Sequence, residues 1–121
     1  MSKIAITSEG PSLEDQMDSR FGRAAGFVVI DMDTMSSHYI ENGQSQIMAQ
    51  GAGIQAAQLI AKAGAGWVLT GYVGPKAFQA LSAVGIKVVQ DLRDITVGEA
   101  LERFKSGGLK IAQAPNRESG K

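Results

Sequence analysis

Gln50-Gly51-Ala52-Gly53-Ile54-Gln55-Ala56-Ala57-Gln58-Leu59-Ile60-Ala61-Lys62 reads as a glycine-containing loop that runs straight into a helix. Apolar residues fill most of that helix, and Gln55, Gln58 and Lys62 are spaced to form one narrow polar stripe. This pattern predicts a helix packed against a sheet over most of its circumference. The first backbone N–H groups of a helix have no partner within it and carry partial positive charge. With Gly51 and Gly53 at its start, no side chain blocks an approaching ligand, so this end is a candidate anion site. A tight turn and close packing account for the same glycines equally well.

Working outward, the chain reads as strands before this helix and as alternating strands and helices after it. Upstream, Lys3-Ile4-Ala5-Ile6-Thr7 is a short buried strand, and residues 8–20 form a long polar loop broken by Gly10-Pro11, with one helical turn expected near Ser12. Phe27-Val28-Val29-Ile30-Asp31-Met32 is apolar on both faces and belongs inside the sheet. Ser37-His38-Tyr39-Ile40-Glu41 reads as an antiparallel strand near an edge, followed by a loop to Gln50. Downstream, Gly64-Ala65-Gly66 ends the first helix, Trp67-Val68-Leu69-Thr70 is a strand, and Gly71-Tyr72-Val73-Gly74 is a second glycine loop. Pro75 opens the next helix, and Ile86-Lys87-Val88-Val89-Gln90 is the fifth strand. Thr96 and Glu99 make a capping box for a last helix, which Gly107-Gly108 ends; residues 107–121 read as a loose polar tail.

Three strands followed by helix–strand repeats predict a mixed five-stranded α/β sheet in the order 3-2-1-4-5, with helices on both faces, because parallel crossovers are right-handed. Chain direction then diverges between strands one and four. Such a switch point is where open α/β sheets bind ligands, at the carboxyl ends of the strands. The segments around Ser8, Gly51–Gly53 and Thr70–Gly74 should converge there.

Composition narrows the function. At 121 residues the chain is one domain, and its formal net charge of zero gives no long-range pull toward nucleic acid or membrane. It has no cysteine, which removes disulfides, thiolate catalysis and thiolate metal sites and accords with a cytoplasmic protein. Its single histidine, His38, falls on the edge strand and reads as a surface residue. No apolar run approaches the roughly 20 residues of a membrane span, and the start leads directly into a strand without a signal peptide. Gly51-x-Gly53-x-x-Ala56 imitates a dinucleotide fingerprint but follows a polar loop rather than a strand. The first strand carries no carboxylate for a two-metal nuclease, and no Ser–His–Asp arrangement fits, so a non-enzymatic role is expected.

Arg20-Phe21-Gly22-Arg23-Ala24, Gly51-Ala52-Gly53-Ile54 and Thr70-Gly71-Tyr72-Val73-Gly74-Pro75-Lys76-Ala77-Phe78, with Gly85-Ile86-Lys87-Val88 following, together resemble the dinitrogenase iron–molybdenum cofactor biosynthesis family over residues 3–106. The resemblance implies a ribonuclease H-like motif, in agreement with the strand order above. The cysteine-free chain and Arg20-Phe21-Gly22-Arg23-Ala24-Ala25-Gly26-Phe27 look most like those members that carry a molybdenum–copper sulfide cluster without covalent protein ligands. Many relatives have histidine where this chain has Arg20 and Gln50. Both departures remove imidazole ligands and favour holding a pre-assembled thiomolybdate-type anion by charge, hydrogen bonds and shape.

The candidate cofactor-binding residues are Ser8, Arg20, Gly22, Arg23, Met48, Gln50, Gly51, Ala52, Gly53, Thr70, Gly71, Tyr72, Gly74 and Lys76, with no catalytic residue and no direct metal ligand. Arg20 and Arg23 offer fixed positive charge to a thiometallate, or they are solvated arginines paired with Asp15 or Asp18. Lys76 sits in a first helical turn, where it opposes the helix dipole. Met48 is either a soft thioether suited to copper(I) or an apolar gap-filler. Tyr72 lines the crevice or packs within it. The reading is a protein that carries or stores an anionic metal–sulfur cluster, with other proteins as possible donors or recipients of it. An adaptor for a protein partner and a small phosphate- or nucleotide-binding domain are the alternatives.

Overall fold

Side chains alternate across a strand, and that alternation divides the core in two. In β1 (Lys3–Ser8) Ile4 and Ile6 face one way and Ala5 the other; in β2 (Gly26–Asp31) Val28 and Ile30 oppose Phe27 and Val29. A computed structural model, describing residues 3–43 and 51–116, arranges these strands in one mixed sheet of order β3-β2-β1-β4-β5, as the pattern predicts. β1 pairs antiparallel with β2, and β2 with β3 (Ser37–Glu41). On its other side β1 runs parallel to β4 (Trp67–Leu69), which runs parallel to β5 (Lys87–Val89). The Met48 and Gln50 side chains, and the loop expected to carry them, lie outside the described residues.

Helices α1 (Ala52–Lys62) and α2 (Pro75–Ala83) cover the Ala5, Phe27 and Val29 face through Ala56, Ala57, Ile60, Ala77 and Leu81. Helix α3 (Val97–Ser106) covers the Ile4, Ile6 and Leu69 face through Val97, Ala100 and Leu101. The predicted capping box is formed: Glu99 N–H donates to Thr96 Oγ1 at 3.1 Å and Thr96 N–H to Glu99 Oε1 at 2.8 Å. The Thr96 N–H, and next the Thr96 hydroxyl, pull the Glu99 carboxyl below its usual range.

Two expectations change. α1 buries Ala52, Ala56, Ala57 and Ile60, while Ile54, Gln58, Ala61 and Lys62 are exposed. It therefore lies on the sheet by one face, not over most of its circumference; the exposed part of its apolar run is Ile54 and small Ala61. The single turn expected at Ser12 does form, closed by Asp15 N–H donating to Ser12 O at 3.1 Å. The Asp15 side chain also closes it, accepting the Ser12 N–H at 2.8 Å, and residues 13–17 are stitched to the start of α3 by Met17 N–H to Ile95 O, Val97 N–H to Asp15 O and Gly98 N–H to Leu13 O. Finally, the tail is not loose as far as Asn116. Ala112 N–H donates to Val88 O of the edge strand β5 at 2.7 Å, and Asn116 bonds to the Gly71–Val73 loop. An edge strand leaves backbone groups unpaired, and this segment pairs some of them.

Candidate functional site

At the carboxyl end of β1 the chain turns back on itself and is tied down by hydroxyls. Thr7 Oγ1 donates to Asp18 O at 2.6 Å and lies 3.0 Å from Thr70 Oγ1, while Asp18 N–H donates to Thr7 O. Asp18 is 3% exposed. Its Oδ1 accepts the Arg20 N–H at 3.0 Å and Arg20 Nε at 3.1 Å; its Oδ2 accepts Arg20 Nη2 and the Ala25 N–H, both at 3.2 Å. One buried carboxylate thus shapes residues 18–25 and aims Arg20. The guanidinium itself remains open to solvent, and its hydrogen bond to Asp18 pushes its pKa further up.

The three glycine-containing segments converge backbone to backbone. Tyr72 N–H donates to Ser19 O at 2.6 Å and Phe21 N–H to Tyr72 O at 3.1 Å, so residues 19–21 run as a short parallel ladder beside the second glycine loop. A Cβ on Gly22 would stand 2.9 Å from Gly53 N, and one on Gly53 would stand 2.6 Å from the Ala77 Cβ. Asn42, buried at the end of β3, donates from Nδ2 to Gly22 O at 3.2 Å and to Ala24 O at 3.0 Å, which holds the arginine loop from the far side.

Two helix starts open at this end. The N-cap of α1 is Gly51, in the left-handed region at φ 78°, where glycine is favoured; the N-cap of α2 is Gly74, with Pro75 next. Neither helix has a side-chain cap or an acidic residue in its first turn. The first N–H groups of each helix thus have neither an intrahelical partner nor a side-chain cap among the described residues. The exposed cations Arg20, Arg23 and Lys76 belong to the same segments, and Arg93 lies with its guanidinium carbon 5.7 Å from the centre of the Tyr72 ring.

The candidate residues divide by depth. Arg20, Gly22, Arg23, Gly51, Tyr72, Gly74 and Lys76 are exposed or half-buried in the converging segments. Ser8 and Thr70 are fully buried, and their hydroxyls are engaged with Gly10 O and Thr7, so they support the site from beneath and do not face it. Ala52 and Gly71 are buried in the packing. Gly53 is half-buried between Gly22 and Ala77; its missing side chain is demanded by the contact of α1 with α2.

Gly53→Val should therefore cost stability first. Overpacking of this kind costs about 1–3 kcal/mol, with Gly53→Ala between valine and the native residue. Thermal unfolding of the apo-protein, paired with ligand uptake per folded molecule, checks this. Unchanged stability with uptake falling as the side chain grows would return Gly53 to a ligand-facing role.

Asp18 and Arg93 lie outside the residues singled out by sequence. Asp18 carried a signal, an acidic residue two before Arg20, but pairing it with Arg20 read as an inert surface contact. Arg93 sits 21 positions from Tyr72, and no local pattern joins them.

The family model described as "Dinitrogenase iron-molybdenum cofactor" matches residues 1–107. This chain belongs to that family. It is similar to the apo form of the orange protein from Desulfovibrio gigas, with 59% identity and a TM-score of 0.94, covering 97% of this chain and 98% of that one. A putative NifB protein from Thermotoga is 31% identical with a TM-score of 0.84, again over 97% and 98% of the two chains. An uncharacterized protein of Methanocaldococcus jannaschii is 27% identical over 111 residues, 89% of each chain. Family membership and the similarity to the orange protein indicate a protein that binds a metal cluster. No helix among the described residues is long and apolar enough to cross a membrane.

Proposed function

We propose that this protein binds and carries an anionic molybdenum–copper sulfide cluster without catalysing a reaction. The observation that carries the reading is the pair of uncapped, acid-free helix starts, α1 and α2, opening among segments that also bear Arg20, Arg23 and Lys76. Helix N-termini favour anions, and guanidinium N–H groups direct positive charge and hydrogen bonds at a bound anion. The donor set fits a pre-assembled cluster. The chain has no cysteine, and no group of three or more histidine, aspartate or glutamate side chains among the described residues could hold a metal ion. The protein would then surround the cluster's sulfur atoms with N–H donors and leave the metal–sulfur bonds intact. Similarity to the orange protein and membership of a family named for the iron–molybdenum cofactor support the assignment. A site at the open end of a sheet also lets a second protein deliver or receive the cargo.

Mixing apo-protein with tetrathiomolybdate and a copper salt, followed by desalting, should give molybdenum and visible absorption co-eluting with protein at a fixed stoichiometry. Arg20→Ala with Arg23→Ala should weaken retention at least tenfold, since hydrogen bonds to charged groups contribute about 1.5–3 kcal/mol each. Removing Arg20 also leaves the Asp18 carboxylate without its cation. Because exposed charges are screened by salt, retention by the native protein should fall with ionic strength, and less steeply in the double variant. The reading is abandoned if no molybdenum co-elutes. Uptake of inorganic phosphate or a nucleotide instead would favour a small phosphate-binding domain.

A further inference from the structure

The segment after α3 reaches the candidate site by wrapping around the free edge of the sheet. Leu109 packs against the core under α3, and Ala112 packs against the core on the opposite face. Between them the chain crosses β5, where Ala112 N–H donates to Val88 O. Gln90 Nε2 then donates to Ala114 O at 2.7 Å. The segment ends with Asn116 seated on the second glycine loop. Asn116 Oδ1 accepts the Val73 N–H at 2.8 Å, and its Nδ2 donates to Gly71 O and to Asp91 Oδ1, both at 2.7 Å. Asp91 is itself held in the left-handed region at φ 69°, with its N–H on Gly71 O at 2.9 Å.

Three features set this contact apart from ordinary tail packing. The carboxamide uses its acceptor and both donors on one loop and its immediate neighbour, so it is specific. The loop it holds, residues 71–74, leads directly into the uncapped start of α2. The strap also buries little: residues 110, 111, 113, 114 and 115 are exposed, and Leu109, Ala112 and Asn116 are only partly buried. Segments with little buried apolar area open at low free-energy cost. The family match ends at residue 107, before the strap begins.

We propose that residues 109–116 are a latch on the candidate site. Asn116 Oδ1 takes the Val73 N–H as an internal stand-in for a ligand's acceptor atom, and anion binding at the start of α2 displaces it. The displacement rests on the cluster-binding reading above; the latch itself does not. A competing internal group lowers apparent affinity by the fraction of molecules in which it is seated. Weakening the latch should therefore tighten binding.

The test uses the full chain with Asn116→Ala and Asn116→Asp. Asp removes both donors and places a second carboxylate beside Asp91. Hydrogen exchange at the Val73 amide should accelerate about tenfold in Asn116→Ala, the scale of one net hydrogen bond, and further in Asn116→Asp. The Met17 amide, bonded to Ile95 O, serves as the unaffected control. Retention of tetrathiomolybdate with copper should tighten about five- to tenfold in Asn116→Ala. Unchanged Val73 exchange in both variants would overturn the latch. Faster exchange with unchanged or weaker retention would keep the latch and overturn the displacement. If neither native protein nor variant retains molybdenum, the cluster reading and the displacement fall together, while exchange at Val73 still decides the latch.

Discussion

Gly71→Ala is expected to destabilise the apo-protein by about 3 kcal/mol, the upper end for overpacking a well-packed interior. One added methyl has this effect because it meets backbone, not flexible side chains. A Cβ on Gly71 would lie 2.5 Å from Ser19 O, 2.9 Å from Ser19 Cα and 3.0 Å from Leu92 O. Neither wall is free to retreat. Ser19 O accepts the Tyr72 N–H at 2.6 Å, Leu92 N–H donates to Thr70 O at 3.2 Å, and Asp91 N–H donates to Gly71 O at 2.9 Å. Making room means breaking the ladder that joins the arginine loop to the second glycine loop. For a domain of this size the change corresponds to a fall in Tm of roughly 10 °C. Gly74→Ala is the matched control: nothing lies within 4 Å of a Cβ there, and its φ of −77° suits any residue. It should shift stability by no more than about 0.5 kcal/mol. A Gly71→Ala protein as stable as Gly74→Ala would mean that the two loops are not packed as described.

Asp18→Ala should cost about 2–4 kcal/mol and abolish cluster retention. Four donors point at its two carboxylate oxygens. Arg20's side chain can turn to water when the carboxylate is lost. The Arg20 and Ala25 backbone N–H groups are fixed by the loop and part-buried; a fully buried donor left unpaired costs about 1–3 kcal/mol, and these two together fall within the range given. Asp18→Asn is the discriminating variant. Its size is nearly the same, but one oxygen becomes an NH2 group facing either Arg20 N–H and Nε or Nη2 and Ala25 N–H, donor against donor. It should therefore destabilise nearly as much as alanine. Denaturant unfolding measures the stability, and desalted molybdenum content per folded molecule measures the site. If Asp18→Asn is as stable and as competent as the native protein, the carboxylate's charge and two-sided acceptor geometry do not organise the loop.

Among the elements, those with a strong local signal were legible in the sequence. The alternation in Ile4-Ala5-Ile6 and Phe27-Val28-Val29-Ile30, the Pro75 and Thr96–Glu99 helix starts, and the glycine-containing loops pointed to a mixed sheet of order 3-2-1-4-5, which the fold has. These features depend on side-chain period and backbone conformation, which a few neighbouring residues decide. Strand order alone brought the segments around Ser8, Gly51–Gly53 and Thr70–Gly74 to one end of the sheet; that residues 19–22 join them there is decided by the tertiary structure.

Only the tertiary structure decided what each residue does within that convergence. Gly53 and Gly71 look like ligand-facing glycines in sequence, yet a Cβ on either would strike Ala77 or Ser19. Asp18 looks like a surface partner for arginine, yet it is the buried acceptor around which the loop closes. Asn116 lies in a tail with no apolar pattern, yet its carboxamide reaches a loop more than 40 positions away. Sequence spacing reports the face a residue occupies within its own element. Whether a small residue makes room for a ligand or for a neighbouring backbone depends on what the fold places opposite it. That partner is non-local, and packing at near-crystalline density leaves room for only one of the two.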